Sequence, residues 1–410
     1  MQDVLSGLRI VEGSAFVAAP SGGMTLAQLG ADVIRFDPIG GGIDYRRWPV
    51  TENNESIYWH SLNKGKRSIA VDFKKPEGRE LLTQLITSSG DDCGLFSTNF
   101  PARGWLSDES LRAHREDLIY LNLTGDRHGG SALDYTVNSR LGLPFLTGTN
   151  AGTDGAPINN PLPAWDVIAG QHIAIGLLAA ERQRSRTGKG QFVKLALADV
   201  AFATMGHLGY IGEAMINQGE DEGEREAIGN HIYGTFGRDF KSRDGQRVMI
   251  VGVSANQWQS ILKMTGQTDA IAELGNRLGL DFNREGDRYE GREAICDQLE
   301  PWFAERDFGP LVEALEAAGV CWGKYQTVTE MVSSDPDCTI DNPLFESVEQ
   351  PGIGTYLVPQ NPLGFTAAER HPVRPAPRLG QHTDEILADI LGLGSSEIGR
   401  YHDEGIVAGS

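Results

Sequence analysis

The feature that most constrains this chain is the regular return of short apolar runs, most of them followed by a helix-like stretch. Leu8–Val11 is a strand-like run, followed by a small-residue loop, GSAFVAAPSGG, and a helical stretch from Met24 to Leu29. Gly30 ends that helix, and Asp32–Phe36 reads as the next strand. Ser68–Phe73 is a third strand. Pro76 then opens a helix whose apolar positions Leu81, Leu82, Leu85 and Ile86 lie at helical spacing. Gly94–Phe100 and Leu118–Thr124 complete the set. Strand–helix–strand alternation predicts a parallel sheet with helices on its faces, and in such sheets ligands gather beyond the carboxyl ends of the strands.

The pattern turns helical after Trp165. Asp166 begins a helix that runs to about Arg184 and ends in the turn TGKG, and a second helical segment spans about Leu195 to Ile216. The acidic stretch QGEDEGERE has no apolar period and reads as an exposed linker. Beyond it, Tyr233–Phe240 and Arg247–Val253 flank KSRDGQ, whose Asp-Gly chemistry predicts an antiparallel hairpin. Helical segments follow at Asn256–Lys263, Arg292–Phe303 and Leu311–Ala318. A Pro- and Gly-rich extended connection covers Asp335–Arg378, and a last helix, His382–Leu391, can return to the first domain. The expected divisions are residues 1–220, a smaller α+β domain at 221–334, and a returning segment at 335–410.

Charge restricts the partners. The 410 residues carry 56 acidic and 36 basic side chains, a net charge of −20, which repels phosphate backbones and anionic lipid. No nucleic-acid or membrane role is expected, and an anionic ligand would need locally placed cations and backbone amides. Cys93, Cys296, Cys321 and Cys338 show no metal-ligand spacing and read as reduced thiols. The N-terminal sequence lacks a basic region followed by an apolar run, and the apolar stretch Val167–Ala180 is too short to span a bilayer. A soluble, cytoplasmic protein is the expectation. GxxxxGK[ST], a well-placed GxGxxG, HExxH and GxSxG are all missing from the sequence, and no metal is expected.

Three stretches carry residues suited to chemistry. Asp166, in PAWDVIAGQ, reads as a helix cap, its oxygen accepting backbone N–H groups that the helix leaves free. The alternative uses the same dipole and amides to hold an ionised carboxylate able to attack an acyl carbon. NKGKRSIAVDFK gathers four cations around one strand, either as solubilising charge or as a patch for a phosphorylated nucleotide tail. STNFPARGW places Asn99, Phe100 and Arg103 at a strand's carboxyl end, where an amide, an aromatic face and a cation suit an adenine or a pantetheine chain.

These pieces, in this order, resemble the class III CoA-transferase family. The matching stretches are LSGLRIVEGSAFVAAPSGGMTLAQLGADVIRFDP, LNKGKRSIAVDFKKPEGRELLTQL, TNF, PAWDVIAG, LLAAERQRSRTGKGQFVKLALAD and APRLGQHTDEIL, which together span nearly the whole chain. The resemblance implies an α/β fold with a large Rossmann-like parallel-sheet domain built from both chain ends, a smaller α+β domain and an interlocked homodimer. It implies Asp166 as the catalytic aspartate and CoA contacts at Val17, Ala18, Val71, Asp72, Lys74, Asn99, Phe100 and Arg103. CoA is then part of an acyl-CoA substrate rather than a separate cofactor.

Within the family, VEGSAFVAAPSGGMTLAQLGADVIRFDPIGGG, VEQPGIGTYL and HDEGIVAG are similar to a subgroup acting on mesaconyl-CoA. The implied reaction moves CoA between the two carboxyl groups of one methyl-branched unsaturated C4 diacid, through an aspartyl-CoA thioester. Arg46 or Arg47 could clamp the diacid's carboxylate, and His231 and Tyr233 stand where other members carry a glycine-rich flap. The alternatives are an intermolecular dicarboxylate CoA-transferase, an α-methylacyl-CoA racemase and an inactive CoA-binding protein. Where the racemases place a catalytic His this sequence has Leu133, with His128 nearby.

Overall fold

The computed structural model describes residues 3–149, 155–217 and 225–409, so residues 218–224 of the acidic linker lie outside the described residues. The chain divides into two compact units: Met1–Leu141, Pro161–Ile216 and Pro336–Ser410 form one, Gly142–Asn160 and Asn217–Asp335 the other. The expected boundaries kept 142–160 in the large domain; the structure assigns that segment to the smaller unit, where Gly229 N–H bonds the Gly148 carbonyl at 2.6 Å.

Six parallel strands build the first unit: β1 (Arg9–Gly13), β2 (Asp32–Asp37), β3 (Arg67–Val71), β4 (Leu95–Thr98), β5 (Ile119–Thr124) and β6 (Gln191–Ala196). Their order is 3-2-1-4-5-6, the Rossmann order. The chain steps outward from β1 through β2 to β3, then crosses back to β4 on the other side of β1. This reversal opens a crevice beyond the carboxyl ends of β1 and β4. The two-residue strand Val407–Ala408 adds antiparallel to the β3 edge, so both ends of the chain enter one sheet. Leu81, Leu82, Leu85 and Ile86 enter one core with Ile34, Phe36, Phe96 and Tyr120 of the strands and with Ile386 and Leu387 from the chain's end.

Two stretches differ from their expected structure for tertiary reasons. The edge strand β6 was not evident in the sequence, because it pairs only with β5 and remains mostly half-exposed, without a clean apolar alternation. The Pro/Gly-rich connection contains a hairpin, β10 (Phe345–Gln350) against β11 (Gly354–Pro359), with Gly352 at φ +82° in its turn. In the second unit, β7 (Phe236–Lys241), β8 (Arg247–Gly252) and β9 (Cys321–Lys324) form an antiparallel sheet, and the first two are joined by the expected Asp-Gly turn. Phe240 stacks on Phe303 at 4.2 Å in its core. No helix among the described residues is long and apolar enough to cross a membrane.

The largest departure concerns the first helix. It begins at Ala18 rather than Met24, so AAPSGG, a poor helical sequence by propensity, is helical. The reason is a close helix crossing. An added Cβ on Gly22 would stand 2.9 Å from the Gly170 carbonyl oxygen, and one on Gly170 would stand 2.1 Å from Ser21 Oγ and 3.0 Å from the Ala18 carbonyl oxygen. Gly170 belongs to the long helix Ala164–Thr187, which is held against the first helix by this pairing of small residues. Here burial overrides intrinsic preference. Gly170→Val should lower stability by about 2–3 kcal/mol, because the nearest obstacles include backbone that cannot swing away. A midpoint in denaturant or heat equal to that of the parent chain would refute the close-packing argument.

Candidate active site

The crossing brings two helix starts together at the crevice. A cavity of about 330 Å³ there is lined by Phe16 and Ala18 after β1, by Asn99 and Phe100 after β4, by Gly129–Leu133 after β5, and by Asp166. Asp166 is the one ionisable group among the described residues lining it.

The loop after β1 is fixed from beneath. Asn99 brackets Ala15, accepting its N–H at 3.0 Å and donating to its carbonyl at 2.8 Å. Asp44 accepts the Phe16 N–H at 3.0 Å, which holds Phe16 at φ +67°, a left-handed conformation that costs a non-glycine residue roughly 1–2 kcal/mol. Asp44 is itself held by the buried Arg35 guanidinium, which binds both oxygens of Asp37 at 2.8 and 2.9 Å and stands 5.3 Å over the Trp59 ring. Beside this group Lys66 Nζ donates to Glu12 at 2.7 Å, to the Pro20 carbonyl at 2.8 Å and to Asn63 at 2.9 Å. Full burial pushes Lys66 down to about 8, while the adjacent Glu12 carboxylate favours its charged form.

The cationic stretch is thereby explained without a ligand. Lys64 and Lys66 are buried, Lys64 donating to the Ser61 carbonyl, and Arg67 pairs with Asp32 and Glu385; only Lys74 of the four is exposed. Buried Lys64 and Lys66 and paired Arg67 are neither a solubilising rim nor an open phosphate patch.

Asp166 is not the cap of its helix. Pro163 occupies the cap position and has no side chain able to accept. Asp134, 32 residues upstream, takes the cap's role: its Oδ2 accepts the N–H groups of Trp165 at 2.8 Å and Asp166 at 3.0 Å. Asn138, one turn further along the same short helix, accepts the Trp165 indole N–H at 3.1 Å. The Asp166 carboxyl is left free to face the cavity. Burial first, and the nearby Asp134 charge second, push it up to about 7 rather than down as a helix-dipole argument expects. Tyr58 is also pushed up, to about 12, chiefly by burial, with the Asp166 and Asp44 charges adding to it. Arg47 opposes that shift: it hydrogen-bonds Tyr58 and stands 5.4 Å over the Tyr58 ring and 5.6 Å over that of Phe16.

The structure therefore groups Asp166, Ala18, Asn99 and Phe100, with Tyr58 and Arg47 close by. Val17 is the residue before the first helix, where no side chain caps the free amides. Val71 points into the core, Asp72 accepts the Lys74 N–H, and Lys74, Arg103 and Arg46 are exposed; none of them lines the cavity. His231 and Tyr233 belong to the second unit, where His231 pairs with Glu293 at 3.2 Å and Tyr233 packs on Tyr289 at 5.0 Å. Asp134 and Tyr58 escaped the sequence reading. Asp134 has no local pattern linking it to a helix start 30 residues later, and Tyr58 lies in a stretch without a motif.

The profile of CoA-transferase family III matches residues 5–383. The chain is 60% identical over 410 residues to 2-methylfumaryl-CoA isomerase of Chloroflexus aurantiacus, covering 100% of this chain and 99% of the relative. It is 29% identical over 408 residues to succinate–glutarate CoA-transferase of Agrobacterium fabrum, covering 94% and 95%. A crystal structure of a CAIB/BAIF family protein from Brucella suis superposes with TM-score 0.74 at 27% identity, covering 95% of this chain and 100% of that one. By profile, by full-length identity and by fold, the chain belongs to CoA-transferase family III.

Proposed function

We propose that this enzyme moves CoA between the two carboxyl groups of mesaconate, converting 2-methylfumaryl-CoA to its 3-methyl isomer, with Asp166 as nucleophile. The observation that carries this reading is a single uncapped carboxyl, Asp166, in the cavity at the β1/β4 reversal of a chain 60% identical to 2-methylfumaryl-CoA isomerase. A carboxylate nucleophile needs no general base. Racemisation needs an acid/base group on each face of the α-carbon, and Asp166 is the one ionisable side chain among the described residues lining the cavity.

The transfer balances without water or a net proton. An Asp166 oxygen attacks the thioester carbon and the C–S bond breaks, giving an acyl-aspartyl anhydride and CoA thiolate. The thiolate attacks the aspartyl carbonyl, and the C–O bond breaks to release mesaconate from an aspartyl-CoA thioester. The other mesaconate carboxylate then attacks that thioester and its C–S bond breaks, giving a second anhydride and CoA thiolate; the thiolate attacks the new acyl carbon, and the C–O bond to Asp166 breaks to restore its carboxylate. The free amides at Val17 and Ala18, at the start of the first helix, would meet the developing oxyanion. Arg47, reaching Asp166 through Tyr58, would hold the second carboxylate and keep the diacid from leaving. Homodimerisation is part of the proposal; exposed Leu208, Met215 and Ile216 on and beside one helix provide apolar surface for it.

Mass analysis of the protein after substrate addition should find CoA or acyl mass on the Asp166 peptide. Asp166→Ala should lose at least about 10³-fold in CoA migration, and turnover at the parent rate would sink the nucleophile assignment. A second reading, an intermolecular dicarboxylate CoA-transferase, is favoured by the relative named succinate–glutarate CoA-transferase. Labelled free mesaconate decides between them: internal transfer incorporates almost none during turnover, whereas intermolecular transfer incorporates it stoichiometrically.

The pH dependence follows from the raised carboxyl. Attack requires the ionised form, so kcat/KM should fall as pH drops through about 7. Stability runs the other way. A carboxyl raised above its ordinary 3.8 stabilises the fold fully below that value and loses the contribution as pH rises through about 7. Asp166→Asn should therefore raise the melting temperature more at pH 8 than at pH 5, measured by scanning calorimetry.

A further inference from the structure

Asp134 is nearly fully buried, at 3% exposure, and accepts two N–H groups at the start of the helix that carries Asp166. Burial raises its own carboxyl above the ordinary carboxylate range, and the two amides offset part of that rise. A cap of this kind normally comes from the residue just before the helix and occupies that residue's own side chain. Here the role falls to a carboxylate on a different segment, which installs a negative charge beside Asp166.

We propose that Asp134 is a positioning residue for the transfer, destabilising the free Asp166 carboxylate relative to the uncharged aspartyl thioester while fixing the backbone from which Asp166 projects. The proposal rests on Asp166 being the acyl acceptor. In the resting enzyme the Asp134 carboxylate sits on the Asp166 backbone N–H at 3.0 Å, so ionising Asp166 places a second negative charge beside it. Acylating Asp166 removes one of the charges and with it the repulsion, so Asp134 favours the covalent state and makes Asp166 a more basic, more nucleophilic oxygen. Neutral Asn at this position would cap the helix equally well and leave that repulsion out.

The other charged groups facing Asp166 are accounted for. From the helix Ile57–Ser61 comes Tyr58, which carries Arg47 on its ring and by hydrogen bond, with Asp44 behind it. The loop after β1 and the turn Gly129–Leu133 contribute no ionisable side chain to the cavity wall. Asp134 is therefore the one carboxylate that raises Asp166 by proximity, and Arg47 acts on it only through Tyr58.

The test uses two variants of the full chain. Asp134→Asn retains an oxygen for the Trp165 and Asp166 amides, whereas Asp134→Ala removes both the cap and the charge. The Asp166 carboxyl is titrated directly by carbon-13 NMR of aspartate-labelled protein, with Asp166→Asn assigning the signal. Asp134→Asn should move that titration and the acidic limb of kcat/KM down by about one pH unit or more. It should also lower the steady-state fraction of aspartyl-CoA adduct at pH 8 several-fold, without loss of melting temperature. Asp134→Ala should show the same shift together with lower stability. An unchanged Asp166 titration and adduct fraction in Asp134→Asn would overturn the proposal and leave Asp134 a cap alone. If the parent enzyme forms no adduct on Asp166, the nucleophile reading fails separately, because the NMR titration reports the Asp134–Asp166 interaction without turnover.

Discussion

The site depends on one close contact between two helices. Ala18, Ser21 and Gly22 on the first helix meet Gly170 on the helix Ala164–Thr187 at distances that leave no room for a Cβ on either glycine. Small residues allow the two backbones to approach, and the approach sets Asp166 beside the free amides at the start of the first helix. Larger side chains would push these helix starts apart. The AAPSGG sequence sacrifices helix propensity for that proximity. Van der Waals packing along the crossing and burial of Ala169 and Ile173 offset the loss.

Beneath this crossing lies an unusually polar foundation. Glu12, Arg35, Asp37, Asp44, Asn63 and Lys66 are all buried at the carboxyl ends of β1 and β2 and in the segment leading into β3. Burying so many charges costs solvation that pairing only partly returns, so the group is a poor device for raw stability. Its geometric effect is clear: Asp44 and Asn99 hold the Ala15–Phe16 turn in a conformation that Phe16 would not choose by itself. The cavity wall is thus anchored by directional bonds rather than by apolar packing alone.

Charge management explains how an acidic protein of net −20 can bind an anionic thioester. The cations nearest in sequence to the crevice are mostly spent inside the fold, on Glu12, Asp37, Asp44 and Asp32. Arg47 is exposed and stacked on aromatic rings beside the cavity, a disposition suited to a carboxylate. Burial and the Asp134 charge push the Asp166 carboxyl itself up to about 7.

Local sequence carried much of this. The alternating apolar runs and the Leu81–Ile86 spacing determine a parallel α/β sheet, because a strand covered on both faces is apolar throughout and a covering helix repeats at 3.6 residues. The strand-end positions of Asn99 and Phe100 follow from the same pattern, and Asp166 was visible as a polar residue opening an apolar helix. Tertiary structure decided the rest. What holds the start of the Asp166 helix turned on Asp134, and whether Lys66 of NKGKR lies outside or inside turned on Glu12, both of them distant partners with no local signature. The β6 edge strand and the early start of the first helix likewise exist only through their neighbours. Periodicity records which face of an element is buried; it does not record which polar group will be waiting there.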